Sequence, residues 1–141
     1  MEPVPIRDVG LRVSDKMSRK TGTIGVGMPA LLHLNAFGRE LHEAFGEYAY
    51  LVGSAAIGKQ WRDVDVRLML PDEQFDALFP DHTKPARCDG RWALICAAIS
   101  ELGRSRTGLP IDFQIQRTTE ANDLYGGGVR QALGLYLNRA A

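Results

Sequence analysis

Residues 63 to 70 read Asp-Val-Asp-Val-Arg-Leu-Met-Leu, which sets Val64, Val66, Leu68 and Leu70 on one face of an extended strand and Asp63, Asp65 and Arg67 on the other. The stretch from Leu109 to Gln116 repeats the alternation, with Ile111, Phe113 and Ile115 opposed to Asp112, Gln114 and Gln116. Glu47 to Val52, rich in aromatic and branched residues, predicts a third strand that runs into Gly53-Ser54-Ala-Ala-Ile, the start of a short helix.

Helical spacing governs much of the rest. Leu31, Leu34, Phe37, Leu41 and Phe45 predict a core-facing helix that begins near Pro29, where a missing amide costs little. Pro71 to Phe79 predicts a short helix whose first turn carries acidic residues, which gives Asp72, Glu73 and Asp76 a structural explanation. Trp92, Ile95, Ile99 and Leu102 form another apolar stripe. After Tyr125-Gly-Gly-Gly-Val-Arg130, which reads as a hinge and lacks the lysine and hydroxyl of a P-loop, Val129, Leu133, Tyr136 and Leu137 predict a final helix. The fold class expected is α+β, a mixed β-sheet with flanking helices. Residues 1–27, with Arg7, Arg12, Lys16, Arg19 and Lys20 and little periodicity, read as a partly flexible arm, and residues 28–141 as one domain.

The two polar strand faces carry the chemistry. Two residues of strand span roughly 6.6 Å, so Asp63 and Asp65 project together, and Asp112 joins them if the strands are neighbours. Magnesium prefers hard oxygen ligands and shares itself between carboxylates and substrate phosphates. Two such ions about 3.5–4 Å apart stabilise the attacking and leaving oxygens of an in-line displacement at phosphorus. Gly53 lets backbone approach a phosphate and Ser54 offers a hydroxyl and an amide, while Lys59 in the same loop is a candidate phosphate contact. Arg117 and Arg130 are further cations within possible reach.

In Leu51-Val52-Gly53-Ser54, then Arg62-Asp63-Val64-Asp65-Val66, then Ile111-Asp112-Phe113, the chain resembles the polymerase-beta-like nucleotidyltransferase superfamily, especially its minimal single-domain members, over roughly residues 28 to 116. The resemblance implies a nucleotidyltransferase-like mixed sheet, two magnesium ions on Asp63, Asp65 and Asp112, and a nucleoside triphosphate bound by Gly53 and Ser54. The loop between the Gly-Ser turn and Asp63 is short for that family, and Arg62 stands where minimal members usually have serine. No dedicated acceptor-binding domain is expected within residues 117–141.

Composition narrows the alternatives. Seventeen basic and seventeen acidic residues balance, which disfavours a long polynucleotide as substrate. The start Met1-Glu2-Pro3 and the lack of a long apolar run predict a cytoplasmic protein away from membranes. Cys88 and Cys96 lack metal spacing and read as reduced structural thiols, and His33, His42 and His82 as surface or satisfied histidines. The expected activity is transfer of a nucleoside monophosphate to an acceptor of unknown identity: a small molecule, a protein or an RNA end. Two other readings stay open: a catalytically weak nucleotide-binding protein that docks a protein partner, as a toxin–antitoxin component does, and a metal-dependent phosphohydrolase. A homo-oligomer is also possible.

Overall fold

A computed structural model describes residues 24–58 and 60–135. Helix α1 (Ala30–Phe45) leads to strand β1 (Ala49–Val52) and a 3-10 turn (Gly53–Ala56). Strand β2 (Val64–Leu70), helix α2 (Asp72–Leu78) and a second 3-10 turn (Ala86–Cys88) follow. Helix α3 (Gly90–Thr107), strand β3 (Ile111–Arg117), helix α4 (Thr118–Tyr125) and strand β4 (Gln131–Ala132) complete the described chain. The four strands form one mixed sheet in the order β3-β2-β1-β4. Strands β2 and β3 are parallel, and β1 is antiparallel to both β2 and β4.

Alternation in β3, and in β2 up to Leu68, divides the sheet into two faces; Met69 is buried as well. Leu51, Val64, Val66, Leu68, Leu70, Ile111, Phe113 and Ile115 are buried in the core with Leu34, Phe37 and Leu41 of α1. Burying side chains of this size stabilises the fold by about 1.5–3 kcal/mol each. Asp65, Arg67, Asp112 and Gln114 are left half-buried on the opposite face, where Asp112 and Gln114 share a hollow with Trp92, Ser100 and Arg104 of α3. Both long helices end at glycines in the left-handed region, Gly46 and Gly108, and the Asp89 carboxylate caps α3 by accepting from the amides of Arg91 and Trp92.

Helix α3 departs from its predicted apolar stripe. Its buried residues are Cys96, Ser100, Gly103 and Thr107, whereas Leu102 is exposed and Trp92, Ile95 and Ile99 are only partly buried. The physical reason is that β3 is an edge strand whose outward backbone groups need partners. The Phe113 amide donates to Ser100 Oγ at 2.8 Å, the Ile115 amide to Cys96 Sγ at 3.5 Å, and Trp92 Nε1 donates to the Ile115 carbonyl at 2.8 Å. Small polar side chains bring the helix close enough to close that edge. Cys88 and Cys96 are free thiols, the first exposed and the second buried.

From Gln131 to Gly134 the tail is not helical, although the helical spacing of Val129 and Leu133 predicts a helix there. Gln131 and Ala132 pair with Leu51 and Tyr50, the Leu133 amide donates to the Ala49 carbonyl, and the Gly134 amide donates to Asn35 Oδ1 at 2.7 Å. Gly134 has φ +85°, a left-handed conformation that glycine adopts without strain, and Leu135 after it has 3-10 geometry. Tyr136 and Leu137 lie outside the described residues. Of the predicted arm, Ile24 to Gly27 are held to the 3-10 turn: the Gly25 amide donates to the Ala55 carbonyl at 2.7 Å, Trp61 Nε1 donates to the Gly25 carbonyl at 3.0 Å, and Val26 is buried. Residues 1–23 lie outside the described part of the chain. Among the described residues no helix is long and apolar enough to cross a membrane.

Candidate active site

Parallel pairing of β2 and β3 puts Asp65 directly beside Asp112, with Val64 opposite Ile111 and Val66 opposite Phe113. Because the strands run in the same direction, their alternation stays in phase, and both carboxylates emerge on the face opposite the core. Asp63 stands one residue before β2 and is exposed.

On the other side of β2, antiparallel pairing sets Val52 opposite Asp65, so the turn after β1 begins beside the same carboxylate. Gly53 has φ +72°, and a Cβ added to it would meet Asp65 Oδ2 at 2.5 Å. The missing side chain is therefore a condition for the approach of turn and carboxylate. Gly53 and Ser54 are exposed. Lys59, the remaining candidate phosphate contact, lies outside the described residues.

Asp65 lies between two hollows. One, of about 730 Å³, includes Gly53, Arg67, Gln114, Tyr125 and Arg130 in its wall; the other, of about 440 Å³, includes Ser54, Arg62 and Asp63. The larger hollow has an apolar side made by Met69, Leu124 and Val129. The segment Gly127 to Arg130 thus borders the cleft, while Arg130 is braced by Asn122 Oδ1 at 3.0 Å and the Ala121 carbonyl at 3.3 Å. Arg117 is directed elsewhere. Its guanidinium bridges to Asp76 at 3.1 Å and Asp72 at 3.3 Å on α2, and Asp72 also accepts from the Thr119 amide and hydroxyl. Asp72 and Asp76 are structural, with their main partners at the β3–α4 junction.

Electrostatics sharpen the position of Asp65. Its carboxyl is pushed above the ordinary aspartate value, chiefly by burial, with the Asp112 and Asp63 charges adding and Arg67 opposing. Arg67 is the residue to which the alternation alone assigned no role. Its Nη2 lies 3.5 Å from Asp112 Oδ2 and 3.9 Å from Asp65 Oδ1, and its Nη1 donates to the carbonyls of Asp112 at 2.7 Å and Val66 at 3.2 Å. Its place on the polar strand face was visible in the sequence; the bridging of two strands was not.

As the side chains stand, no three His, Cys, Asp or Glu among the described residues are arranged to enclose a metal ion. The donor set nevertheless suits magnesium in kind. It is made of hard carboxylate oxygens, and the raised Asp65 is crowded by like charge that a divalent cation relieves. Comparison with protein-family models, with curated proteins and with solved structures finds no match to this chain.

Proposed function

We propose that this protein transfers a nucleoside monophosphate from a nucleoside triphosphate to an acceptor. The observation that carries this reading is the in-register pair Asp65 and Asp112 on the polar sheet face, with Asp65 against the Gly53 turn. A mixed sheet with flanking helices, in the order described, supports the nucleotidyltransferase-like reading of the fold.

In this account Asp63, Asp65 and Asp112 hold magnesium. When bound, magnesium neutralises the phosphate charge and withdraws electrons from the phosphorus that is attacked. Everything else falls to the chain. Gly53 leaves room for the Asp65 carboxylate to stand against the turn, and the Ser54 hydroxyl donates to a phosphate oxygen. A carboxylate of the cluster accepts the proton of the acceptor hydroxyl. The apolar side of the larger hollow, with Tyr125 and Leu124 exposed at its rim, seats the base or the acceptor, and Gln114 and Gln116 offer hydrogen bonds on its floor.

Labelled nucleoside triphosphate incubated with the protein and magnesium tests the reading. Transfer gives pyrophosphate and a labelled acceptor, whereas hydrolysis gives free mononucleotide and identifies a phosphohydrolase. A second reading, a nucleotide-binding protein with weak catalysis that docks a partner, is favoured by the Arg67 guanidinium, which already engages two of the three carboxylates. It gives binding without either product.

A further inference from the structure

We propose that Arg67 takes the place of one of the two cations expected at the aspartate cluster, so that the native chain binds a single divalent ion. The inference rests on the metal-binding reading of Asp63, Asp65 and Asp112 and changes its stoichiometry.

Three observations combine. First, Arg67 is fixed by backbone acceptors besides the carboxylates. The carbonyls of Asp112 and Val66 hold Nη1, and only 14% of the side chain is exposed. Second, Nη2 faces Asp112 Oδ2 and Asp65 Oδ1, the oxygens that a cation between the two strands would use. A guanidinium and a metal ion cannot share that space, because both are positive and both need the same lone pairs. Third, three carboxylates at −1 and one guanidinium at +1 leave −2, the charge that one divalent ion neutralises. The oxygens turned away from Arg67, together with Asp63 at the mouth of the smaller hollow, are the ones left for that ion.

The consequence separates two properties that a two-ion site joins. Arg67 neutralises one carboxylate charge, as part of a second ion would, through a guanidinium whose Nη1 and Nη2 are already engaged. It does not make a nucleophile more acidic as a coordinated metal does. Arg67 is thus a specificity-determining residue for the cation count.

Manganese, added alone and then with a non-hydrolysable ATP analogue, reports the count through loss of the free-ion electron paramagnetic resonance signal, after subtraction of the manganese that the analogue binds without protein. The native chain should bind one ion per chain. Arg67→Met should bind two, or bind the second at least tenfold more tightly, and Arg67→Lys, which keeps the charge, should stay closer to one. Circular dichroism melts establish that the variants are folded, and Arg67→Gln serves if Arg67→Met is not. Two ions on the native chain with no change in Arg67→Met would overturn the inference and leave the metal-binding reading intact. Uptake by Arg67→Met but not by the native chain overturns the inference of one ion on the native chain, as does a single ion on both. No uptake by either overturns both.

Discussion

Gly53 and Asp65 occupy each other's space: the Asp65 carboxylate oxygen lies 2.5 Å from the point where any side chain at position 53 would begin. The turn and the acidic strand are thereby one structural unit, and a change on either side is felt by the other. Gly53→Ala meets both this contact and a left-handed backbone, so it should destabilise the protein by about 1 kcal/mol or more. It should also abolish any nucleotide-dependent stabilisation. Denaturant titration and thermal shift on the variant check both, and an unchanged nucleotide response would show that the turn is not part of the site.

Asp65→Asn should have the opposite effect on the metal-free protein. Burial and two neighbouring carboxylates work against the ionised side chain, and their sum outweighs the favourable Arg67. In chelator near pH 7 the variant should therefore be as stable as the native chain or slightly more so, while losing its response to magnesium and nucleotide. Loss of about 1 kcal/mol or more in chelator, with the magnesium response intact, would identify Asp65 as a structural partner of Arg67.

Ser100→Ala should cost about 1–3 kcal/mol, because it leaves the buried Phe113 amide without its partner on an edge strand. Hydrogen exchange should show the Phe113 amide losing protection before those of β1. Native stability in the variant would mean that the edge is closed by other contacts.

The pair Glu40 and Arg106 joins α1 to α3 through two contacts, at 2.9 and 3.1 Å. The hydrogen bond from Arg106 lowers the Glu40 carboxyl below its ordinary value, burial opposing. A group depressed in the folded state contributes stability above its unfolded value and loses it as pH falls through the folded one. Glu40→Gln should thus be less stable than the native chain at pH 7, and the gap should close below the usual glutamate range. Both side chains are about half exposed, so the gap is small, a few tenths of a kcal/mol. Thermal melts at pH 7 and pH 3 measure it, and a gap that grows on acidification would contradict the assignment.

What was legible in the sequence was whatever one face of one element decides. Alternation from Asp63 to Leu70 and from Ile111 to Gln116 placed Asp65, Arg67 and Asp112 on polar faces, and the spacing from Leu31 to Phe45 gave α1 nearly to the residue. What failed depended on a distant partner. Val129 and Leu133 carry helical spacing, yet Gln131 and Ala132 form a strand because β1 has a free edge beside them. The buried face of α3 was hidden because Cys96, Ser100, Gly103 and Thr107 are not an apolar stripe: Cys96 and Ser100 answer backbone groups of β3, Gly103 makes room for Ile111 and Phe37, and Thr107 bonds the Gly103 carbonyl and the Leu109 amide. Arg67 lay in plain view, but its grip on Asp112 exists only once two strands far apart in the chain are paired in register.

The central claim is that the face shared by Asp63, Asp65 and Asp112 binds a nucleoside triphosphate through a divalent ion. Thermal unfolding of the native chain and Asp65→Asn, with each of the four common triphosphates, in magnesium and in chelator, tests it most directly. A triphosphate at about 100 times its dissociation constant should add about 2.7 kcal/mol of apparent stability to the native chain. That gain should require magnesium and be absent from Asp65→Asn. No magnesium-dependent stabilisation by any of the four, or an equal one in the variant, would contradict the account.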